Sequence, residues 1–143
     1  MRIASVALAL ALFATPALAA DHQVKMLLSG AAGPTVFEPS VVHVAVGDTV
    51  TFVPSAVMQN AETIPGMLPE GATAFRGGVN EQVTVSFDVP GTYGIACKKH
   101  FGIGMVALVV VGDAPADATT VDDARLPFRA RERFKEMLEA KAQ

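Results

Sequence analysis

Residues 93–105 read YGIACKKHFGIGM, and this stretch joins a β-type run to a short loop that carries three donor groups. The loop supplies a thiol at Cys97, an imidazole three residues later at His100, and a thioether five residues after that at Met105. Thiolate and thioether sulfur suit monovalent copper, imidazole suits both oxidation states, and a weak axial thioether helps to set the reduction potential. The stretch therefore predicts a strand that ends at a type-one copper site.

On both sides of this stretch the chain consists of short β-type runs separated by turn residues. The predicted strands cover residues 24–28, 36–39, 41–46, 49–53, 82–87, 92–96 and 106–111. Gly47 and Asp48 predict a tight hairpin between two of these strands, because glycine adopts positive φ without a penalty. Short strands at this spacing, with few helical signals between them, indicate an all-β sandwich.

The N-terminal segment has a different composition from this β region. Residues 1–19 open with the basic Arg2, continue through an apolar run and end in Ala-Leu-Ala. This is the pattern of a cleaved secretory signal peptide, and the apolar run is too short for a membrane span. We therefore expect export, with residues 20–143 forming one domain.

The C-terminal segment, residues 116–142, is expected to be a helical extension of that domain. Phe134, Met137 and Leu138 lie at positions i, i+3 and i+4, and Pro127 suits the first turn of a helix. The sequence therefore predicts an amphipathic helix. We expect its apolar side to pack against the sandwich rather than to bind a partner.

Charge and cysteine content narrow the functional classes. The chain has 11 basic and 14 acidic residues, a formal net charge of −3 at pH 7, and loss of Arg2 with the signal peptide makes it more negative. Nucleic-acid binding is not expected from this balance, and no other apolar run predicts a membrane span. Cys97 is the single cysteine, so in an oxidising compartment it has no internal disulfide partner, and a metal would protect it.

Several segments, taken in order, resemble the pseudoazurins, which belong to the cupredoxin family of plastocyanin- and azurin-like blue copper proteins. They are residues 20–21 (AD), 36–39 (VFEP), 47–52 (GDTVTF), 62–64 (ETI), 66–67 (GM), the Cys97 loop, and 111–116 (VGDAPA). The resemblance implies a cupredoxin-like Greek-key β-sandwich of about eight strands with two short C-terminal α-helices. It also implies a monomeric periplasmic electron carrier with one type-one copper ion, serving a redox partner such as a reductase or a cytochrome.

One position departs from the family pattern. Members of the family carry a copper-binding histidine directly before an asparagine, whereas this chain has Gln59 before Asn60. The resemblance also implies that Asn60 braces the ligand loop by hydrogen bonding near the thiolate. The expected metal ligands are Cys97, His100, Met105 and, in place of the histidine, Gln59.

The other histidines and the lysines of the loop have less specific roles. His22 and His43 are expected to be structural or solvent-facing rather than ligands. Lys98 and Lys99 directly follow Cys97 in the loop, and beside the exposed edge of His100 they would form a basic rim that attracts an acidic partner protein.

Three functional hypotheses remain open at the level of sequence. The first is electron transfer through a copper site with Gln59 in the vacated place. The second is a Cu(I) carrier that uses Met58, because loss of an imidazole weakens Cu(II) binding more than Cu(I) binding. The third is a cupredoxin-fold module that no longer binds copper and keeps Cys97 as a buried thiol. An enzyme is not expected, since the sequence shows no Ser/His/Asp set and no phosphate loop.

Overall fold

A computed structural model describes residues 18–113, 121 and 125–141, and this part of the chain forms eight strands and a C-terminal helix. The strands are β1 (Asp21–Gly30), β2 (Gly33–Glu38), β3 (Val41–Val44), β4 (Thr49–Pro54), β5 (Glu62–Thr63), β6 (Val83–Ser86), β7 (Gly91–Ala96) and β8 (Val106–Val111). A 3₁₀ turn (Phe101–Ile103) lies between β7 and β8, and helix α1 (Phe128–Lys141) follows.

The strands form two four-stranded sheets with an apolar core between them. One sheet has the order β2-β1-β4-β6 and the other β3-β8-β7-β5. Alternate residues of β1, such as Val24 and Met26, are fully buried in this core together with Phe52 of β4. The predicted β-sandwich of about eight strands is confirmed, and the period-two pattern of β1 is explained by its one buried face.

Strand β8 is buried on both faces, which explains its unbroken apolar sequence. Ala107, Val109 and Val111 belong to the core between the sheets. Val106 and Leu108 point the other way, since successive side chains of a strand alternate between its faces, and they pack in a second cluster against α1. The loop that carries Cys97 and His100 therefore leads into a strand that is enclosed on both faces.

Gly47 and Asp48 do not form the predicted hairpin. Strand β3 pairs in parallel with β8 in one sheet, whereas β4 pairs in parallel with β1 in the other. Gly47 has a φ of 90°, so the turn itself is real, and the Asp48 carboxylate accepts hydrogen bonds from the backbone amides of Ala20 and Ala45. The turn carries the chain from one sheet to the other, because a turn signal does not determine whether its flanking strands pair.

Helix α1 packs against the second sheet. Phe134 and Ala130 are fully buried in the cluster that contains Val106 and Leu108, so the expected packing against the sandwich is confirmed. With 14 residues, α1 is longer than the short helix that the resemblance implied. The other helix implied for the extension of residues 116–142 stays a prediction, because residues 114–120 and 122–124 lie outside the described residues.

The predicted signal peptide also lies almost entirely outside the described residues, so its cleavage stays a prediction. Leu18 and Ala19 are exposed, and the Ala20 amide donates a hydrogen bond to Asp48 Oδ1 at 2.9 Å. Among the described residues, no helix has both the length and the apolar character required to cross a membrane.

Candidate metal centre

The loop after β7 brings Cys97, His100 and Met105 together at one end of the sandwich. Cys97 Sγ lies 3.5 Å from His100 Nδ1, and the Met105 amide donates to the His100 carbonyl at 3.1 Å. Cys97 and Met105 are fully buried in the same apolar cluster, and their backbones share a hydrogen bond of 3.1 Å. The three donor residues predicted from their spacing thus occupy one small region.

Tight turns fix the conformation of this loop. The His100 amide donates to the Cys97 carbonyl, and the 3₁₀ turn adds a bond from the Gly104 amide to the Phe101 carbonyl. Gly104 has a φ of 91°, and a Cβ atom there would lie 3.1 Å from the carbonyl oxygen of Arg129 in α1. Glycine is therefore required at this position, both for its backbone conformation and for the close approach of the helix.

The thiol of Cys97 is buried, is not part of a disulfide, and lies close to two polar atoms. One is His100 Nδ1, and the other is the carbonyl oxygen of Met58, which lies 3.8 Å from Cys97 Sγ. Met58 has a φ of 64°, and its side chain is 44% exposed. The atom that Met58 presents to the thiol is therefore its carbonyl oxygen.

Gln59 is fully buried on the segment that faces the thiol, and its amide orientation is determined by its neighbours. Its Oε1 atom accepts hydrogen bonds of 3.0 Å from the backbone amides of Ser55 and Ala56. A reversed amide would place its NH₂ group against those two donors. Gln59 Nε2 has no hydrogen-bond partner among the described residues, which costs about 1–3 kcal/mol for a buried polar group.

These contacts bear directly on the predicted ligand role of Gln59. Its Oε1 atom already accepts two hydrogen bonds, which use both of its lone pairs, so binding to copper would require their replacement. The Nε2 atom carries only donor hydrogens and offers nothing to a cation. Coordination by Gln59 stays a prediction.

Asn60 links the segment of Gln59 to the thiol loop. Its Oδ1 atom accepts a 2.8 Å hydrogen bond from the backbone amide of Lys98, the residue directly after Cys97. Its Nδ2 atom donates to the Gly77 carbonyl at 3.3 Å and to Glu62 Oε2 at 3.1 Å. The side chain therefore has the bracing geometry that the resemblance implied.

Asn80 also supports the segment that contains Met58 and Gln59, a role that the sequence analysis did not predict. Its Oδ1 atom accepts a 2.6 Å hydrogen bond from the Met58 amide, and its own amide donates to the Gln59 carbonyl at 2.7 Å. Asn80 has a φ of 63° and lies in an irregular segment, so no periodic pattern marks it. The single available signal was the tolerance of asparagine for the left-handed conformation.

The two remaining histidines lie away from this loop. His22 Nε2 donates to Asp48 Oδ2 at 2.9 Å, at the end of β4 opposite to the one that leads to Gln59. This hydrogen bond, followed by those from the Ala20 and Ala45 amides, lowers the pKa of Asp48 below its ordinary value, against the opposing effect of burial. His43 is exposed on β3, opposite Val110. The described residues contain no cluster of three or more histidine, cysteine or acidic side chains suited to a metal.

The surface around the loop combines positive charge with apolar side chains. Lys98 and Lys99 are exposed, and His100 is partly exposed between them and the 3₁₀ turn. Ile103 in that turn is 57% exposed, and Val57, beside Met58, is 74% exposed. The two lysines are thus exposed, with exposed apolar residues in neighbouring parts of the chain, and their role as a basic rim for a partner protein stays a prediction.

The donor set at this end of the sandwich fits copper in part. A blue copper centre uses two imidazoles and a thiolate in a trigonal arrangement with a weak axial thioether. Cys97, His100 and Met105 supply one imidazole and both sulfur donors, and His22 and His43 lie elsewhere. These residues suit monovalent copper, while no second imidazole, which would strengthen divalent copper binding, joins them among the described residues.

Comparison with known proteins agrees with this fit. The family described as copper binding proteins, plastocyanin/azurin family, matches residues 24–112. A pseudoazurin from Paracoccus pantotrophus is 45% identical over 132 residues, covering 92% of this chain and 91% of its own. A putative pseudoazurin from Rhizobium leguminosarum bv. viciae is 47% identical over 117 residues, covering 82% of this chain and 77% of its own.

A solved structure gives the same result for the fold. The crystal structure of pseudoazurin from Methylobacterium extorquens AM1 superposes with a TM-score of 0.78 at 37% identity, covering 86% of this chain and 99% of its own. The sequence match, the two-sheet sandwich and the Cys97 loop at its end all point to one conclusion. The chain belongs to the plastocyanin/azurin family of copper-binding proteins, with the pseudoazurins among its similar relatives.

Proposed function

We propose that this protein is a single-electron carrier of the pseudoazurin kind, with Cys97, His100 and Met105 as protein ligands of one copper ion. The observation that carries the proposal is the buried Cys97 thiol, 3.5 Å from His100 Nδ1, in a loop that also contains the buried Met105. Copper bound there would supply a one-electron redox couple. Gln59, the fourth predicted ligand, would have to give up its hydrogen bonds from the Ser55 and Ala56 amides before its oxygen could bind copper.

The residues of the chain suit such a carrier in two respects. Burial of Cys97 and Met105 excludes water from the sulfur donors. Backbone hydrogen bonds between Cys97, His100 and Met105 hold the loop in one conformation, so little structural reorganisation accompanies the transfer of an electron. The partly exposed His100 is the ligand nearest to solvent, and it is the proposed route for the electron.

The proposed partner is an acidic redox protein in the periplasm, such as a reductase or a cytochrome. The exposed Lys98 and Lys99 would favour its approach, and exposed apolar residues such as Ile103 would pack at the contact. Export through a signal peptide at residues 1–19 would bring the carrier into the periplasm. The protein would act as a monomeric carrier rather than as an enzyme.

Copper titration of the purified protein tests the proposal. We expect saturation at one equivalent, with a thiolate-to-Cu(II) absorption band and a matching EPR signal. His43→Gln is the matched control, because it removes an exposed imidazole on β3 and should leave the stoichiometry and spectrum unchanged. A protein that binds neither Cu(II) nor Cu(I) would contradict the proposal.

A Cu(I) carrier is the second candidate, and the presence of one imidazole beside Cys97 favours it. Two sulfur donors and one imidazole form a softer set than a blue copper centre, and they retain Cu(I) better than Cu(II). Retention of Cu(I) against a competing chelator, without the Cu(II) band, would select this function over electron transfer.

A further inference from the structure

Residues 55–59, which follow β4, are held in place by two sets of hydrogen bonds. Gln59 Oε1 accepts from the amides of Ser55 and Ala56, which lie four and three residues earlier in the chain. Asn80 binds the same segment from outside, through the Met58 amide and the Gln59 carbonyl. The first set closes the turn that contains Met58, and the second holds the Met58 amide itself, so this residue has little freedom to move.

Met58 has a conformation that needs such support. A φ of 64° is uncommon for a side chain other than glycine, asparagine or aspartate, and it persists where surrounding contacts enforce it. This conformation accompanies the position of the Met58 carbonyl oxygen, 3.8 Å from Cys97 Sγ. The Gln59 side chain thus helps to determine which backbone atom faces the thiol.

We infer that Gln59 is a positioning residue of the Cys97 centre and not one of its metal ligands. Its amide oxygen holds the 55–59 segment so that the Met58 carbonyl covers the thiol. The second half of this inference rests on the proposed copper site, whereas the first half concerns the metal-free protein alone. Cys97, His100 and Met105 then remain as three protein donors.

A three-donor centre has a specific consequence for metal preference. Low coordination numbers and sulfur donors favour Cu(I), whereas Cu(II) gains more from an additional imidazole. Gln59 stands where the family pattern has a coordinating histidine. Because Gln59 itself does not coordinate, the centre favours Cu(I) over Cu(II). The reduction potential should be higher than that of a Gln59→His variant whose new imidazole binds copper.

Amide hydrogen exchange at Ala56 is the direct test, because among the described residues its N–H donates to Gln59 Oε1 alone, whereas the Ser55 amide also donates to the Met26 carbonyl. Exchange would be measured by NMR without metal and after loading with Cu(I). We expect Ala56 to be protected in both states. Gln59→Leu, which removes the acceptor at similar volume, should speed Ala56 exchange by on the order of tenfold.

Gln59→Glu is the matched variant, because it keeps an acceptor oxygen and should preserve the protection of Ala56. Slow exchange of the β8 amides would show that each variant is folded. If Gln59→Leu does not fold, the wild-type comparison with and without Cu(I) still decides between positioning and coordination.

The outcomes separate this inference from the proposed function. Loss of Ala56 protection on addition of Cu(I) would show that Gln59 Oε1 moves to the metal, which would overturn the inference and leave the copper site standing. Equal Ala56 exchange in wild type and Gln59→Leu would overturn the positioning role. If neither Cu(I) nor Cu(II) is retained, the copper proposal fails, while the metal-free comparison still decides whether Gln59 holds the segment.

Discussion

Replacing Asn60 with leucine would show how strongly the two segments of the candidate site are joined. Asn60 is 3% exposed, and its side chain accepts from the Lys98 amide at 2.8 Å and donates to the Gly77 carbonyl at 3.3 Å. Leucine has a similar volume and no polar atoms. The substitution therefore removes hydrogen bonds with little change in the space that is filled.

The expected loss in the free energy of unfolding depends on the backbone groups that would no longer have Asn60 as a hydrogen-bond partner. The Gly77 carbonyl is buried, and an unsatisfied buried group costs about 1–3 kcal/mol. The Lys98 amide is only partly buried, so water offsets part of its loss and about 1 kcal/mol is expected there. Glu62 keeps its ion pair with Arg76 at 3.2 Å and adds little. The sum is about 2–4 kcal/mol, a large share of the roughly 5–15 kcal/mol by which domains are stable.

Urea denaturation of the metal-free protein measures this loss as a shift of the midpoint at unchanged slope. Ser86→Ala is the control, because its hydrogen bond to Asp88 is exposed and its removal should change the free energy of unfolding by less than about 0.5 kcal/mol. A loss below about 1 kcal/mol for Asn60→Leu would refute the reasoning, since it would mean that Lys98 and Gly77 find other partners.

Three further substitutions test other parts of the structure. Gln59→His should lower the reduction potential and strengthen the Cu(II) absorption band, as voltammetry and spectroscopy would show; an unchanged potential and spectrum would mean that the new imidazole does not reach copper. Asp48→Asn should weaken the acid dependence of stability. The bond from His22 lowers the pKa of Asp48, so the carboxylate stabilises the fold above its unfolded pKa, and this contribution is lost as pH falls through the lowered folded value. Unfolding midpoints at pH 7 and pH 3 should differ less in the variant, and an identical difference would contradict this assignment. Phe134→Ala should cost about 3–5 kcal/mol in the free energy of unfolding, whereas a cost below about 1 kcal/mol would show that α1 is not held by this residue.

The sequence predicted the strands where a local pattern is sufficient. β1 alternates because one of its faces is buried, and β8 is continuously apolar because both faces are covered. β5 has only two residues and lies in an irregular segment, so it has no period to detect. The pairing of β3 with β8 could not be read from the turn at Gly47, since pairing depends on contacts between residues far apart in the chain.

The same distinction holds for the candidate site. Cys97, His100 and Met105 lie within nine consecutive residues, so their spacing was enough to predict that they come together. Asn80 reaches Met58 across 22 residues of irregular chain, and no rule of spacing connects the two. Local chemistry is therefore visible in the sequence, whereas the residues that support it belong to the tertiary structure.

Gln59 shows why finding a position differs from knowing its role. The resemblance drew attention to this position because the family has a histidine there and this chain does not. The amide oxygen of Gln59 then suggested a substitute ligand. An amide also accepts hydrogen bonds, and only the fold reveals that the Ser55 and Ala56 amides bind that oxygen. Two backbone donors compete with the metal for the same lone pairs, and Cu(I), which needs fewer ligands, loses less from that competition than Cu(II) does. For the proposed copper site, we therefore expect the preference for one oxidation state to depend on the turn formed by residues 55–59.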